Sequence, residues 1–271
     1  MKFYFRSILV ITIIFLLSVA YANADFNTDF TSLLNNNNPD EALLLLAQKY
    51  PDSSDTLEYI NGYLMNNSEN FGAYGIRGWI LNDMNKYIDA LGDFDKGVML
   101  SGHGIEFMQF FLAGRADALY GLGQKTEALT RADQAIENQE KNFFGGNLSL
   151  SEAYTIKGMV HFDMGEYEIA LDAFRNASNL DPGDPNLWYN IGNCYFQLND
   201  DSKALDAYNT SIDIQPSIDT YYYKGLTLTR LSQFDEAVKT LKEALVIDPD
   251  NENILEAISD TQSQADGDKK P

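Results

Sequence analysis

Two histidines, His103 and His161, and one cysteine, Cys194, are by type the residues best suited to general-base, metal-ligand or nucleophilic chemistry. Their spacing supplies none of it. His103 stands between Gly102 and Gly104 with no companion ligand, and His161 falls where a helix would carry a large apolar core residue. Cys194 lies among Ile191, Tyr195 and Phe196, the surroundings of a small buried hydrophobe. One cysteine excludes an intrachain disulfide and any multi-cysteine zinc or iron–sulfur centre.

Carboxylates are plentiful, with 40 Asp and Glu against 19 Lys and Arg and a net charge of −21 over 271 residues. Two acidic turns, Asp181-Pro182-Gly183-Asp184 and Asp248-Pro249-Asp250-Asn251-Glu252, invite comparison with cation sites. The second opens like a calcium loop, but Asn253 occupies the position that needs glycine and Ser259 the one that needs glutamate. Both read as turns that cap the following helix. No glycine-rich phosphate cradle, nucleophile elbow or paired-carboxylate signature occurs. The expectation is a chain with no enzyme activity, no catalytic residue, no metal and no cofactor. The acidic excess argues against nucleic acid, whose phosphates it would repel. With 45% hydrophobic and 13% aromatic residues, the chain has the material for a core.

The chain opens with Lys2 and Arg6, then an apolar run from Ile8 to Ala22, then the small-x-small sequence Ala22-Asn23-Ala24. That order predicts a signal peptide over 1–24 and an extracytoplasmic protein, secreted, periplasmic or in the cell envelope. The uncharged stretch 7–24 is also just long enough to act as an uncleaved membrane anchor, the only membrane contact expected. Loss of Lys2 and Arg6 with the leader takes the charge from −21 to −23. Asn66, Asn147, Asn176 and Asn209 lie in glycosylation sequons.

The elements that would position any site are announced by a repeat. Tyr74…Gly78, Leu112…Ala116, Tyr154…Gly158, Trp188…Gly192 and Tyr221…Gly225 each place a large residue four positions before a small one. Twelve residues on come Ala90, Ala128, Ala170, Ala204 and Ala237, followed after four more by Phe94, Ala132, Phe174, Tyr208 and Leu241. Three further on are Gly97, Ala135, Ala177, Ser211 and Ala244, and Pro182, Pro216 and Pro249 close the last three units. These spacings place each set on one face of a helix, giving two helices per unit that approach at the small residues. Met164-Gly165 and Leu122-Gly123 mark turns between the paired helices. No unit can bury its apolar face alone, so the units must stack.

The pattern resembles the tetratricopeptide repeat family. The resemblance implies an all-α, right-handed α-solenoid with five repeats at 71–104, 109–142, 151–184, 185–217 and 218–251. Residues 25–70 are expected to form a divergent helical N-terminal cap, 252–264 a capping helix and 265–271 a disordered tail. The small-residue column is spaced by 38, 42, 34 and 33 residues, so there are inserts near Ile105–Met108 and Phe143–Leu150. The first is expected to lengthen a helix by one turn, the second to form a loop carrying Phe143 and Phe144.

The resemblance also implies a concave face lined by the first helices. On it would lie Trp79, Tyr120, Phe162, Tyr189, Asn190, Asn193, Phe196 and Tyr222, with Asp83, Asp117, Glu152 and Asp163 beside them. Family members that clamp a terminal carboxylate use lysines with asparagines; Asn190 and Asn193 match the asparagines, but Tyr189 stands where a lysine belongs. The groove therefore suits a protein or extended peptide with apolar and basic side chains. Arg77, Arg115, Lys157 and Lys224, all next to the small column, read as seam residues paired with acidic neighbours, or else as an anion ladder. The expected work is that of a non-catalytic interaction module or scaffold. A membrane-anchored subunit of an envelope, secretion or pilus assembly and a glycan-binding accessory protein remain as alternatives.

Overall fold

In each unit the two helices are joined by one turn whose backbone demands a left-handed residue. Seven positions past the small column stand Asn85, Gly123, Gly165, Asn199 and Ser232, with φ of 58°, 77°, 78°, 59° and 60°. The next amide reaches back five residues to donate to a helical carbonyl, in Lys86→Leu81, Gln124→Leu119, Glu166→His161, Asp200→Tyr195 and Gln233→Leu228, at 2.8–2.9 Å. These bonds satisfy carbonyls that the ending helix leaves orphaned. The glycine-bearing turns are legible in sequence; those built on Asn85, Asn199 and Ser232 use residues that adopt this conformation less readily.

The computed structural model describes residues 26–35, 39–50, 52–102, 108–141 and 147–268. They form helices α1 (Phe26–Asn35), α2 (Pro39–Lys49), α3 (Ser53–Asn66), α4 (Phe71–Asp83), α5 (Tyr87–Leu100), α6 (Met108–Gly121) and α7 (Lys125–Lys141). The series continues with α8 (Asn147–Asp163), α9 (Tyr167–Leu180), α10 (Pro185–Gln197), α11 (Asp201–Ile214), α12 (Ile218–Arg230), α13 (Phe234–Ile247) and α14 (Glu252–Asp268). The architecture is an all-α solenoid, with no strand among the described residues. Side-chain caps start several helices: Asp52 accepts from Ser54 N, Asn70 from Ala73 N, Asp184 from Asn186 N and Ser217 from Thr220 N. No described helix is long and apolar enough to cross a membrane. The leader over 1–24 and His103 lie outside the described residues.

Within a unit the glycine of the first helix lies against the large residue of the second. A Cβ added at Gly78 would stand 2.6 Å from Phe94, at Gly158 2.7 Å from Phe174, at Gly192 2.4 Å from Tyr208 and at Gly225 2.6 Å from Leu241. The second unit solves the same contact in reverse: Ala116 replaces the glycine, and Ala132 replaces the ring, both fully buried. Between units, first helices touch at α4 with α6, α6 with α8, α10 with α12 and α12 with α14, while no two second helices do so to that extent. First helices therefore lie on the inner side of the stack.

The insert near Ile105–Met108, expected to lengthen a helix, lies mostly at 103–107 outside the described residues. Two other expectations are corrected. The second insert is not a loop from Asn147 onward, because α8 begins there, and α7 and α8 reach 17 residues each. Leu148 and Ala153 of α8 join the core that holds Ala42, Leu43 and Leu46 of α2, a partner no local pattern reveals. Phe143 and Phe144 lie outside the described residues. The other concerns α14, which runs through Asp268, past the expected end at 264, so 265–268 are helical rather than tail.

The glycine–ring contact makes a quantitative prediction. Gly158→Ala improves helix propensity by ~1 kcal/mol, yet the methyl must displace the buried Phe174 ring, at a cost of about 1–3 kcal/mol. We expect a net loss of stability in urea denaturation. The double variant Gly158→Ala, Phe174→Ala copies the Ala116–Ala132 pairing, so its loss should fall below the sum of the single losses. Additive losses would show that the two positions are not coupled.

Candidate functional site

Helix α10 presents two adjacent stripes. Tyr189, Asn193 and Phe196, spaced by four and three residues, form one; Trp188, Ile191 and Tyr195 form the next. The first stripe meets α12, and Tyr223 is where it gathers. Its ring stands edge-on to Tyr189 at 5.9 Å, to Phe196 at 5.9 Å and to its neighbour Tyr222 at 5.3 Å between centroids. Tyr208 of α11 tilts against Tyr189 at 6.3 Å. Such edge contacts each stabilise by about 0.5–1.5 kcal/mol beyond the area they bury.

Asn193 knits the cluster together. Its Oδ1 accepts from the Tyr208 hydroxyl at 2.8 Å, and its side chain also hydrogen-bonds Tyr189. Burial pushes the Tyr189 hydroxyl up to about 12, against the opposing pull of the Asn193 bond, so it stays neutral. Burial raises Tyr208 as well. Arg230 closes one side: its guanidinium lies 3.9 Å from the Phe196 ring centre, donates to the Phe196 carbonyl and forks onto Asp201. Asp219 lies near Tyr189, and Glu256 and Asp260 near Tyr222. The result is a half-buried aromatic patch whose nearby free charges are acidic.

The eight expected groove residues thus separate. Tyr189, Asn193, Phe196 and Tyr222 come together, around Tyr223, which sequence reasoning did not single out. Its signal was present as the last of three consecutive tyrosines, Tyr221 to Tyr223, but periodicity alone does not say which of them turns toward α10. Asn190 is half-buried and makes no hydrogen bond among the described residues. Phe162 stands edge-on to Tyr167 at 5.3 Å and packs on the same core as Tyr189 and Phe196. Tyr120 donates to Asp163 at 3.0 Å, and Lys125 meets the same carboxylate at 3.0 Å, tying the α6–α7 turn to α8.

Trp79 is not a groove residue. It is 3% exposed and packs on Phe94 and Phe110. The inner side closes there because Gly75 lets α4 approach α6, with a Cβ at Gly75 only 2.6 Å from Phe111. Asn82 Nδ2 donates to the Gly114 carbonyl across that contact at 2.8 Å, and α2 packs on both α4 and α8. The open part of the inner face is the C-terminal part.

The other candidates resolve into structure. Cys194 is fully buried, and desolvation pushes its thiol up to about 12. His161 is not a plain core residue: its Nδ1 lies 2.6 Å from Glu166 Oε2 in the turn. Arg77 grips Asp93 with two bonds of 2.6 and 2.7 Å and reaches Asn61 at 2.9 Å; Arg115 pairs with Asp95 and Lys157 with Asp133. This seam pairing leaves Lys224 alone of the four for an anion ladder. Among the described residues, no group of three His, Cys, Asp or Glu is placed to hold a metal.

In the turn Asp181–Asp184, burial raises the Asp184 carboxyl well above its ordinary 3.8, opposed by the Asn186 amide and reinforced by nearby Asp181 and Glu152. A carboxyl whose folded value is raised favours the folded state when protonated and loses that contribution as pH climbs above 3.8. Asp184→Asn keeps a capping acceptor without the charge. Its urea midpoint should exceed that of the parent at about pH 7, and the gap should close toward about pH 4. A gap that is constant with pH would refute the assignment.

Similarity to known proteins follows the same units. Tetratricopeptide repeat models match residues 185–217 and 218–251, and a TPR repeat model matches 158–199. Residues 158–251 therefore carry tetratricopeptide repeats. It is 33% identical over 104 residues to an Hsp70-Hsp90 organising protein of Plasmodium falciparum, covering 38% of this chain and 41% of that protein. It is 28% identical over 126 residues to a protein STIP1 homolog of Dictyostelium discoideum, covering 46% of this chain and 22% of that protein. The chain thus spans well under half the length of either relative. Among solved structures, YrrB, a TPR protein with an unusual peptide-binding site, superposes with a TM-score of 0.53 at 20% identity, covering 74% of this chain and 98% of that one. The Cut9–Hcn1 assembly of the APC/C gives 0.65 at 20% identity, covering 82% and 42%. These likenesses establish the fold.

Proposed function

We propose that this protein is a non-catalytic interaction module that takes an extended peptide segment of a partner protein against the inner face of α10 and α12. The observation that carries this reading is the half-buried cluster of Tyr189, Asn193, Phe196, Tyr222 and Tyr223 on the open part of the inner face. Preorganised rings with few rotatable bonds make good contact at low entropic cost. Asp219, Glu256 and Asp260 favour a segment that mixes apolar with basic side chains, since Arg230 is already neutralised by Asp201. The similarity to an Hsp70-Hsp90 organising protein supports a protein partner as the class. The absence of lysine at the Tyr189 position disfavours capture of a terminal carboxylate there.

An array of extended peptides graded in Lys/Arg and Leu/Phe content tests this reading. Binding should rise with both contents, and Tyr189→Ala with Phe196→Ala should weaken the best binders by about 2 kcal/mol or more, roughly thirtyfold. Circular dichroism must show the doubly substituted chain still folded. Equal binding by a folded double variant would sink the proposal.

We further propose that the chain is exported by its leader, with Asp25 as the mature N-terminus. Mass spectrometry of the native protein should find that start. An intact Met1 on a membrane-bound protein would instead favour the anchored assembly subunit.

A further inference from the structure

The second stripe of α10 lines the side toward α9 and α11 and shares no residue with the aromatic cluster. There a cleft of about 430 Å³ is floored by Ile191 and Ala207 and walled by Trp188 and Tyr195. That volume lies within the range of small-molecule sites, and a mainly apolar lining with a few convergent polar groups is their usual form.

Two cations meet on one ring at this cleft. The Arg175 guanidinium stands 5.5 Å and the Lys203 ammonium 5.4 Å from the centre of Tyr195. Arg175 also donates to the Tyr195 hydroxyl. Like charges gathered this closely repel. The chain has 19 Lys and Arg against 40 Asp and Glu, so carboxylates to pair with are plentiful. Arg77, Arg115 and Arg230 each pair with one. Arg175 makes no ion pair among the described residues. Lys203 pairs only with Asp200, across a solvent-exposed contact that stabilises little and is readily exchanged. Asp206 is the acidic residue on the rim, and its exposed carboxylate forms no described pair with either cation.

The apolar wall is held in place. Trp188 Nε1 donates to the Pro182 carbonyl at 3.0 Å, which fixes the indole at the mouth of the cleft. Asn179 and Thr210 add polar edges.

We propose that this cleft binds a small organic anion, a carboxylate or phosphate monoester carried on an apolar or aromatic body. The anionic group would sit between Arg175 and Lys203, with its body against Trp188 and over Ile191. A bidentate guanidinium contact suits either oxyanion. This site is independent of the peptide-binding face.

The test titrates the intact chain with phenyl phosphate, benzoate and inorganic phosphate, following tryptophan fluorescence with calorimetry on the same mixtures. Trp188 is the indole at the cleft, and the other, Trp79, lies buried in the N-terminal core. Phenyl phosphate or benzoate should bind saturably, and inorganic phosphate roughly tenfold or more weakly, for want of the apolar body. Arg175→Gln and Lys203→Gln, both at exposed positions, should each weaken phenyl phosphate about tenfold. Their thermal midpoints should be unchanged. No saturable binding by either method overturns the proposal. So does unchanged affinity in both variants, or inorganic phosphate binding as tightly as phenyl phosphate.

Discussion

Everything in this solenoid hangs on one close approach, the backbone of a first helix lying on the ring of its partner. Phe94, Phe174 and Tyr208 are all but fully buried, and each fills the space a glycine leaves free. A small residue there lets two helices come near enough to exclude water along their length, and the ring supplies the dispersion contacts that a lone glycine cannot. The second unit reaches the same closeness with Ala116 and Ala132, so the constraint acts on the sum of two side chains rather than on either alone. Because the contact recurs, each unit leaves an apolar face for the next, and the stack follows.

The curvature of that stack decides what the inner face can do. In the N-terminal half, Gly75 brings α4 and α6 together, Gly114 lets α6 close on Phe94 of α5, and α2 covers part of the interior, so Trp79 becomes core. In the C-terminal half the first helices bear large residues instead of glycine at the matching positions. Tyr189 and Tyr222 stand there and stay half open. The aromatic patch and the closed core are thus one inner face, made different by the size of the side chain at one repeat position.

The charges follow a similar division. Aspartates along the helices take up the cations at the seams, as with Arg77 and Asp93 or Lys157 and Asp133. Three other cations lie on aromatic rings beside the two surfaces most able to bind something. Arg230 on Phe196 borders the inner patch, and Arg175 with Lys203 on Tyr195 borders the outer cleft.

The sequence by itself determined the paired helices, their order and the contact that joins them, because helical periodicity and the glycine-to-ring spacing are local quantities. It also placed Tyr189, Asn193, Phe196 and Tyr222 on one face. It could not show that Tyr223 gathers them, that Leu148 is helical core rather than loop, or that Trp79 is buried. Each of those depends on a partner from another unit: α12 against α10, α2 against α8, Phe110 against Trp79. Turns built on Asn85, Asn199 and Ser232 were hidden for a related reason, since the left-handed backbone there is imposed by the packing of the two helices it joins. Tertiary structure decided which aromatic residues were sealed and which remained accessible, because burial is a property of the distance between helices and not of the residue.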